Sequence, residues 1–321
     1  MTKRGMSNPF SAIMTAIIDI RDKSGLIEPS PETDRLDGKT CFITGANSGL
    51  GKAIALELGK RGAHLVLGLR SKVEETVSEL KAATKSEAIE ARYVDLSDLK
   101  SVDNLIDGFK VDGLIFDRVI LNAGLMSPQA KQSAQGIELM LSVHWLANQR
   151  LISELIGKGV VPTDKAARII AVSSESHRSA PPLNAETFTD FHEHSMSGAM
   201  KQYGHSKLVL NLAFRGLAER YDDTDIGFFH LCPGPVNSQI ARESPAALRA
   251  IVGVMMNSFF PSPAKAAEPA IYLTASPSLE GRSKEYMHLM RFKPPSDTSL
   301  DKAAMEAVLA KGEEIFAQLP S

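Results

Sequence analysis

The sequence predicts an α/β fold in which helices cover both faces of a doubly wound parallel sheet. Three observations predict it. Apolar runs of strand length alternate with stretches of helix length from Lys39 onward. Most of the runs read as continuous apolar stretches, as strands buried on both faces do. The first run ends in a glycine-rich turn that opens directly into a helix.

Strands are expected at Thr40–Thr44, His64–Leu69, Ala88–Val94, Arg118–Leu121, Arg168–Ser173 and Ile226–Leu231, with a short last one near Glu285–Leu289. Helices are expected at 49–61, 72–85, 98–110, 136–157, 201–220 and 263–275, with a final amphipathic one at 300–318. Right-handed crossovers between parallel strands then give the doubly wound topology. Residues 38–321 read as one domain, preceded by an extension over 1–37. In that extension Phe10, Ile13, Met14, Ile17 and Ile18 fall at helical spacing, with Asn8 as cap and Pro9 at the first position. Gly25, Pro29, Ser30 and Pro31 mark a linker over 24–37. Residues 178–200 form a long polar insert, and long inserts in compact domains are usually functional or mobile. The stretch 237–262 is apolar but broken by Pro245, Gly253 and Pro261.

Composition excludes several classes. The 321 residues are 43% hydrophobic and 23% charged, with a net charge of −2. No basic stripe suggests nucleic acid, and no acidic block suggests disorder. No apolar run reaches the roughly 18–20 residues that span a bilayer. The N-terminal helix is expected to dock on its own protein or on a partner subunit, with contact to a membrane surface and a secretion signal as the alternatives. Cys41 and Cys232 are too few for a disulfide framework, which favours a reducing compartment and a cytoplasmic location. His192 and His194 lack matched ligands, so no metal is expected.

The turn Thr44-Gly-Ala-Asn-Ser-Gly-Leu-Gly51 suits a dinucleotide. Gly45, Gly49 and Gly51 let the backbone turn sharply and approach a pyrophosphate, which the following helix N-terminus attracts. Asn47, Ser48 and Leu50 complete the turn. The fold is thereby of the Rossmann type. The second strand ends in Leu69-Arg-Ser-Lys72, where an NAD-binding chain would carry an acid. Arg70, helped by Ser71, can meet a 2′-phosphate instead, so NADP(H) is the expected cofactor. Asp95, followed by Leu96, closes the third strand and either accepts from the adenine amino group or caps the next helix. Asn122, Ala123 and Gly124 end the fourth strand with small residues that permit close approach.

Tyr203 and Lys207 are four apart and share a helix face. A phenol of pKa about 10 is a poor acid at neutral pH, and a nearby ammonium lowers that value. Ser173 and Ser174 end the fifth strand at the edge where such sheets bind ligands. A serine hydroxyl there can orient a substrate oxygen.

Taken together, Thr44–Gly51, Leu121-Asn-Ala-Gly124, Val172-Ser-Ser-Glu-Ser-His177, Tyr203-Gly-His-Ser-Lys207 and Cys232-Pro-Gly-Pro-Val-Asn-Ser238 make the resemblance plain. The chain resembles the short-chain dehydrogenase/reductase family over about residues 38–315, and within it the branch of retinol dehydrogenases and protochlorophyllide reductases. The resemblance implies Tyr203 as general acid/base and Ser174 as substrate-oxygen orienter. Lys207 would tune Tyr203 and hold the nicotinamide ribose. Pro233, Gly234, Val236 and Ser238 would line the nicotinamide side, and 237–262 would be a substrate lid of lipophilic character. One position departs from the branch: His144 stands in Val143-His-Trp-Leu-Ala147 where an Asn of the proton relay is expected. His144 either substitutes in that relay or is a satisfied helix histidine.

The implied activity is hydride transfer between NADP(H) and a carbonyl or alcohol carbon of a small molecule. Two alternatives stand beside it: an NADP-sensing or scaffolding protein with little chemistry, and a reductase of an activated C=C bond. The sequence leaves substrate, direction and oligomeric state open, a homo-oligomer included.

Overall fold

A computed structural model describes Asp22, residues 24–235 and residues 261–319. The expected helix over Phe10–Ile18, the positions Val236 and Ser238, and nearly all of the expected lid lie outside the described residues.

Seven parallel strands form the sheet: β1 (Thr40–Thr44), β2 (His64–Leu69), β3 (Ile89–Tyr93), β4 (Arg118–Leu121), β5 (Arg168–Val172), β6 (Gly227–Cys232) and β7 (Glu285–His288). Their spatial order is β3-β2-β1-β4-β5-β6-β7. The eighth strand, β8 (Arg291–Phe292), pairs antiparallel with β7. It was not anticipated, because two residues carry no readable periodicity. The helices are α1 (Gly49–Lys60), α2 (Val73–Thr84), α3 (Leu99–Val111), α4 (Ala147–Gly157), α5 (Met196–Arg220), α6 (Pro263–Ala275) and α7 (Lys302–Ala317).

Two helices differ from expectation. The stretch 136–157 is not one α-helix: a short α turn (Leu139–Leu141) leads into a π turn (Ser142–Leu146), and only then does α4 begin. A π turn inserts a residue into the helical ladder, and because residues 140–149 are all buried no one-sided apolar stripe registers the insertion. The helix carrying Tyr203 begins at Met196 rather than 201, with Gly198 inside it. Tyr203 therefore sits in the helix interior rather than at its opening.

Alternate strand residues feed two cores. Cys41, Ile43, Leu65, Leu67 and Ile170 pack with α1, α2 and α6 on one face. Phe42, Val66, Val119 and Ile169 pack with α3, α4, α5 and α7 on the other. In the second core Phe42, Phe109 and Phe116 form a ring trio with centroids 4.9–5.4 Å apart. Arg118 and Arg168, both buried, donate to the carbonyls of Leu273 and Thr274, which end α6. The last carbonyls of a helix lack partners and carry its negative dipole end, so buried cations are tolerated there. Trp145 donates to Gln149 (2.7 Å), and Gln149 donates to the Leu309 carbonyl (2.9 Å), clipping α7 to α4.

The segment expected as a linker is docked on the domain. Arg61 donates to the carbonyls of Ser30, Pro31 and Asp34, Leu36 is buried, and the Ile27 amide donates to Met290. No helix among the described residues is long and apolar enough to cross a membrane.

Burial also sets the protonation of histidines. It pushes His177 down to about 4 and His230 down to about 3. The His230 ring stacks on Phe214 and meets Tyr286 edge-on, and neither of its nitrogens has a hydrogen-bond partner among the described residues.

Two outcomes follow from this packing. Phe109→Ala, which opens the ring trio, is expected to lower unfolding free energy by about 3–5 kcal/mol in urea titrations. Both histidine values lie below the roughly 6.5 of an unfolded histidine, so the unfolded chain binds protons that the folded chain refuses. Stability is therefore expected to fall as pH drops below about 6.5, by about 2 kcal/mol per histidine at pH 5, in denaturation curves compared with pH 7.5.

Candidate active site

The site lies at the carboxyl ends of the strands, where β1 and β4 are neighbours and the chain diverges to opposite faces of the sheet. This is the crevice in which doubly wound sheets bind ligands. The Thr44 hydroxyl accepts from the amides of Asn122 and Ala123, each at 3.1 Å. The Asn122 side-chain amide donates back to the carbonyls of Thr44 (2.9 Å) and Gly45 (3.1 Å). These bonds lock the turn after β1 to the turn after β4. They also explain two glycines. Gly45 has φ +72°, and a Cβ there would lie 2.9 Å from the Ala123 Cα. A Cβ on Gly51 would lie 2.3 Å from both the Gly45 oxygen and the Asn122 amide nitrogen. The glycine spacing was expected to admit a phosphate. In the protein alone Gly51 admits Asn122.

The helix end beside this turn suits an anion. Ser48 is the N-cap of α1 but makes no side-chain capping bond, and no acid lies in the first turn. Asn47, Ser48, Gly49 and Leu50 are all partly exposed there. Asn47 reaches Ser71 across the turn, 3.4 Å to its hydroxyl and 3.5 Å to its carbonyl. Arg70 is exposed and makes no hydrogen bond or ion pair among the described residues. Lys72 is engaged with Glu75 at 3.0 Å. The residues present thus fit a nucleotide with a pyrophosphate at α1 and a further phosphate at Arg70.

Asp95 does not cap the next helix. Asp98 does, accepting from the Lys100 amide. One Asp95 oxygen accepts from the Ser97 amide and hydroxyl, closing a local turn. Its second oxygen takes no hydrogen bond within the described residues. The Leu96 side chain is buried in the core, which leaves only its backbone for a ligand. Pro233 and Gly234 follow β6, with the Gly234 amide on the Cys232 sulfur at 3.4 Å.

Ser174, Tyr203 and Lys207 are brought together. The Ser174 side chain lies near enough to Tyr203 to lower its pKa. The Ser174 hydroxyl also pairs with that of Ser176 at 2.5 Å. Lys207 is buried, donates to the Val172 carbonyl at 3.0 Å and lies 5.7 Å from the Tyr203 ring centre. Ammonium and phenol do not produce the expected drop in the tyrosine pKa. Burial raises Tyr203 well above its ordinary value, Cys232 adds to that, and the nearby Ser174 side chain only partly opposes it. The reason is desolvation, which disfavours every charged form in the site. It lowers Lys207 itself to about 7, so its positive charge is only partly present at neutral pH.

His144 lies fully buried in the π turn, its ring edge-on to Tyr203 with centroids 5.5 Å apart. Its Nε2 accepts from the Leu125 amide (3.1 Å), and its Nδ1 pairs with the Ser206 hydroxyl (2.9 Å). Both ring nitrogens are satisfied by protein. Burial, and then the Lys207 charge, hold its pKa well below the usual value.

Several participants had no assigned role in the sequence. His177 donates from Nδ1 to the Ser174 carbonyl (2.6 Å) and accepts at Nε2 from the Ser296 amide (3.2 Å). It thereby fixes the backbone of the serine to the segment after β8. Glu175 accepts from Tyr286 and Lys293, each at 2.6 Å, and pairs with Arg178 at 3.0 Å. Burial opposes its charge, yet His288, Lys293 and Arg178 bring its pKa down to about 2. The readable signal was spacing: His177 is three residues from Ser174, and Ser206 three from Tyr203.

The chain is similar to known proteins over most of its length. The profile of the short chain dehydrogenase family matches residues 39–185. Retinol dehydrogenase 12 of Bos taurus is 32% identical over 254 residues, covering 78% of each chain. Retinol dehydrogenase 13 of Mus musculus is 29% identical, covering 85% of this chain and 82% of its own. The solved Pseudomonas aeruginosa RhlG/NADP active-site complex shares the fold, with a TM-score of 0.63 and 22% identity over 81% of this chain and 98% of that one. The chain belongs to the short-chain dehydrogenase/reductase family, in its retinol-dehydrogenase-like branch.

Proposed function

We propose that the chain is an NADP(H)-dependent oxidoreductase that interconverts a carbonyl and an alcohol on a small lipophilic molecule. The observation that carries this reading is the grouping of Ser174, Tyr203 and Lys207, with the buried lysine 5.7 Å from the tyrosine ring, at the same carboxyl edge of the sheet as an uncapped helix end. The nicotinamide, when bound, gives or takes the hydride. Gly45, Asn47, Ser48, Gly49, Leu50 and Gly51 would hold the pyrophosphate, and Arg70 with Ser71 the 2′-phosphate. Asp95, the Leu96 backbone, Asn122, Ala123, Gly124, Pro233 and Gly234 would line the rest of the nucleotide.

In reduction Tyr203 gives its proton to the substrate oxygen, and Ser174 holds that oxygen in line. Lys207 offsets the negative charge that develops on the phenol. A phenol kept protonated by burial suits this direction, since the proton to be given is in place at neutral pH. Oxidation uses the same groups in reverse. The names of the retinol dehydrogenase relatives suggest a lipophilic aldehyde as first substrate to try. Cys41 and Cys232 are free and buried, which supports a reducing, cytoplasmic setting.

The test is NADPH consumption at 340 nm with all-trans-retinal, nonanal and benzaldehyde. Tyr203→Phe is expected to bind NADPH as the parent does, read by nucleotide fluorescence, while turnover drops about a hundredfold or more. Turnover that survives in Tyr203→Phe removes the tyrosine from the mechanism. NADPH binding without turnover of any carbonyl favours a sensing or scaffolding role. Arg70→Ala is expected to lower kcat/KM for NADPH about tenfold or more and to leave NADH unaffected. Equal use of both coenzymes by the parent protein defeats the NADP assignment.

A further inference from the structure

We infer that His144 is a positioning residue: through Ser206 it braces the helix that carries Tyr203 against the loop that ends β4. The inference rests on the oxidoreductase reading above and says how that reading's tyrosine is held.

The direction of each hydrogen bond is fixed by chemistry. The Leu125 backbone amide can only donate, so Nε2 of His144, 3.1 Å away, must accept. A neutral imidazole then carries its proton on Nδ1, which donates to the Ser206 hydroxyl at 2.9 Å. Ser206 in turn donates to the Tyr203 carbonyl at 2.8 Å. The chain of bonds runs from Leu125, one residue past the Asn122-Ala-Gly124 loop, to the backbone of Tyr203 itself. Both ring nitrogens are used within it, which leaves neither free to hand protons onward.

The surroundings support the assignment. Ser206 and His144 are both fully buried. The ring lies at 89° to that of Tyr203. A Cβ on Gly124 would lie 3.1 Å from Nε2 and 3.7 Å from the Lys207 nitrogen, so the loop, the imidazole and the lysine meet at one glycine. The His144 carbonyl is taken by the Asn148 side chain at 2.8 Å. Both polar ends of the residue are thus committed to holding structure.

Side-chain length separates the two ends of the brace. An asparagine amide reaches about where Nδ1 sits, and a glutamine amide about where Nε2 sits. His144→Asn therefore keeps the Ser206 contact alone, and His144→Gln the Leu125 contact alone. The experiment measures kcat, KM and NADPH affinity at 25 °C for His144→Asn, His144→Gln, His144→Ala, Ser206→Ala and the His144→Ala/Ser206→Ala pair. Each single change is expected to lower kcat about tenfold, with NADPH affinity changed less than about threefold. The pair is expected to be no slower than His144→Ala alone, since both changes cut the same connection. Unchanged kcat in Ser206→Ala overturns the inference, as do losses that multiply in the pair. A readout independent of turnover is the nitrogen NMR spectrum of ¹⁵N-histidine-labelled protein. His144 is expected as the Nδ1-protonated form, and an Nε2-protonated ring overturns the brace whatever the activity. If the parent turns over and Tyr203→Phe does not, while these variants match the parent, the brace fails and the oxidoreductase reading stands.

Discussion

The bonds between Thr44 and Asn122 hold together two turns that the topology sends to opposite faces of the sheet. Strand ends at a switch point diverge, and nothing in the ladder itself fixes their separation. Here one hydroxyl accepts two amides and one carboxamide returns two bonds. The helix end suited to phosphate and the loop beneath His144 are therefore parts of one rigid body. Leu125, Lys207 and Tyr203 inherit their positions from it.

Dryness governs the electrostatics of the same region. Tyr203, His144, His177 and His230 are all displaced toward their neutral forms by burial. Direction of hydrogen bonding, more than charge, therefore orients the groups around the serine and tyrosine. The exception is Glu175, which keeps its charge because Lys293, Arg178 and His288 surround it. Through Tyr286 and Lys293 it ties the hairpin of β7 and β8 to the residue after Ser174. A buried carboxylate with this many partners is stabilised by geometry, and loss of one partner leaves an uncompensated charge.

The parallel sheet was legible because continuous apolar strands and a glycine turn are long-range patterns, and β1, β2, β4 and α6 follow from them; the grouping of Ser174, Tyr203 and Lys207 was read from spacing, a strand-end serine and the family resemblance. What the sequence hid is local. The π turn at Ser142–Leu146 adds one residue in a stretch buried on every side, where no apolar stripe exists to show the shift, so it reads as plain helix. The start of α5 at Met196 was masked by Gly198, a poor helix former. The role of Asp95 passed to Asp98, since either fits a capping pattern and only backbone geometry separates them. Lys207 was expected to acidify Tyr203. That expectation counted charge and left out desolvation, which depends on tertiary packing and has no sequence signature.

The two margins of the sheet are finished differently. On one side β8 is only two residues long, too short to template another strand. On the other, β3 carries Glu90 and Arg92, which pair with each other at 2.6 Å on the outermost strand. Charged side chains on an edge oppose backbone annexation by a neighbouring molecule. An eight-stranded sheet would otherwise be a seed for ribbon-like growth; this one terminates itself at both borders.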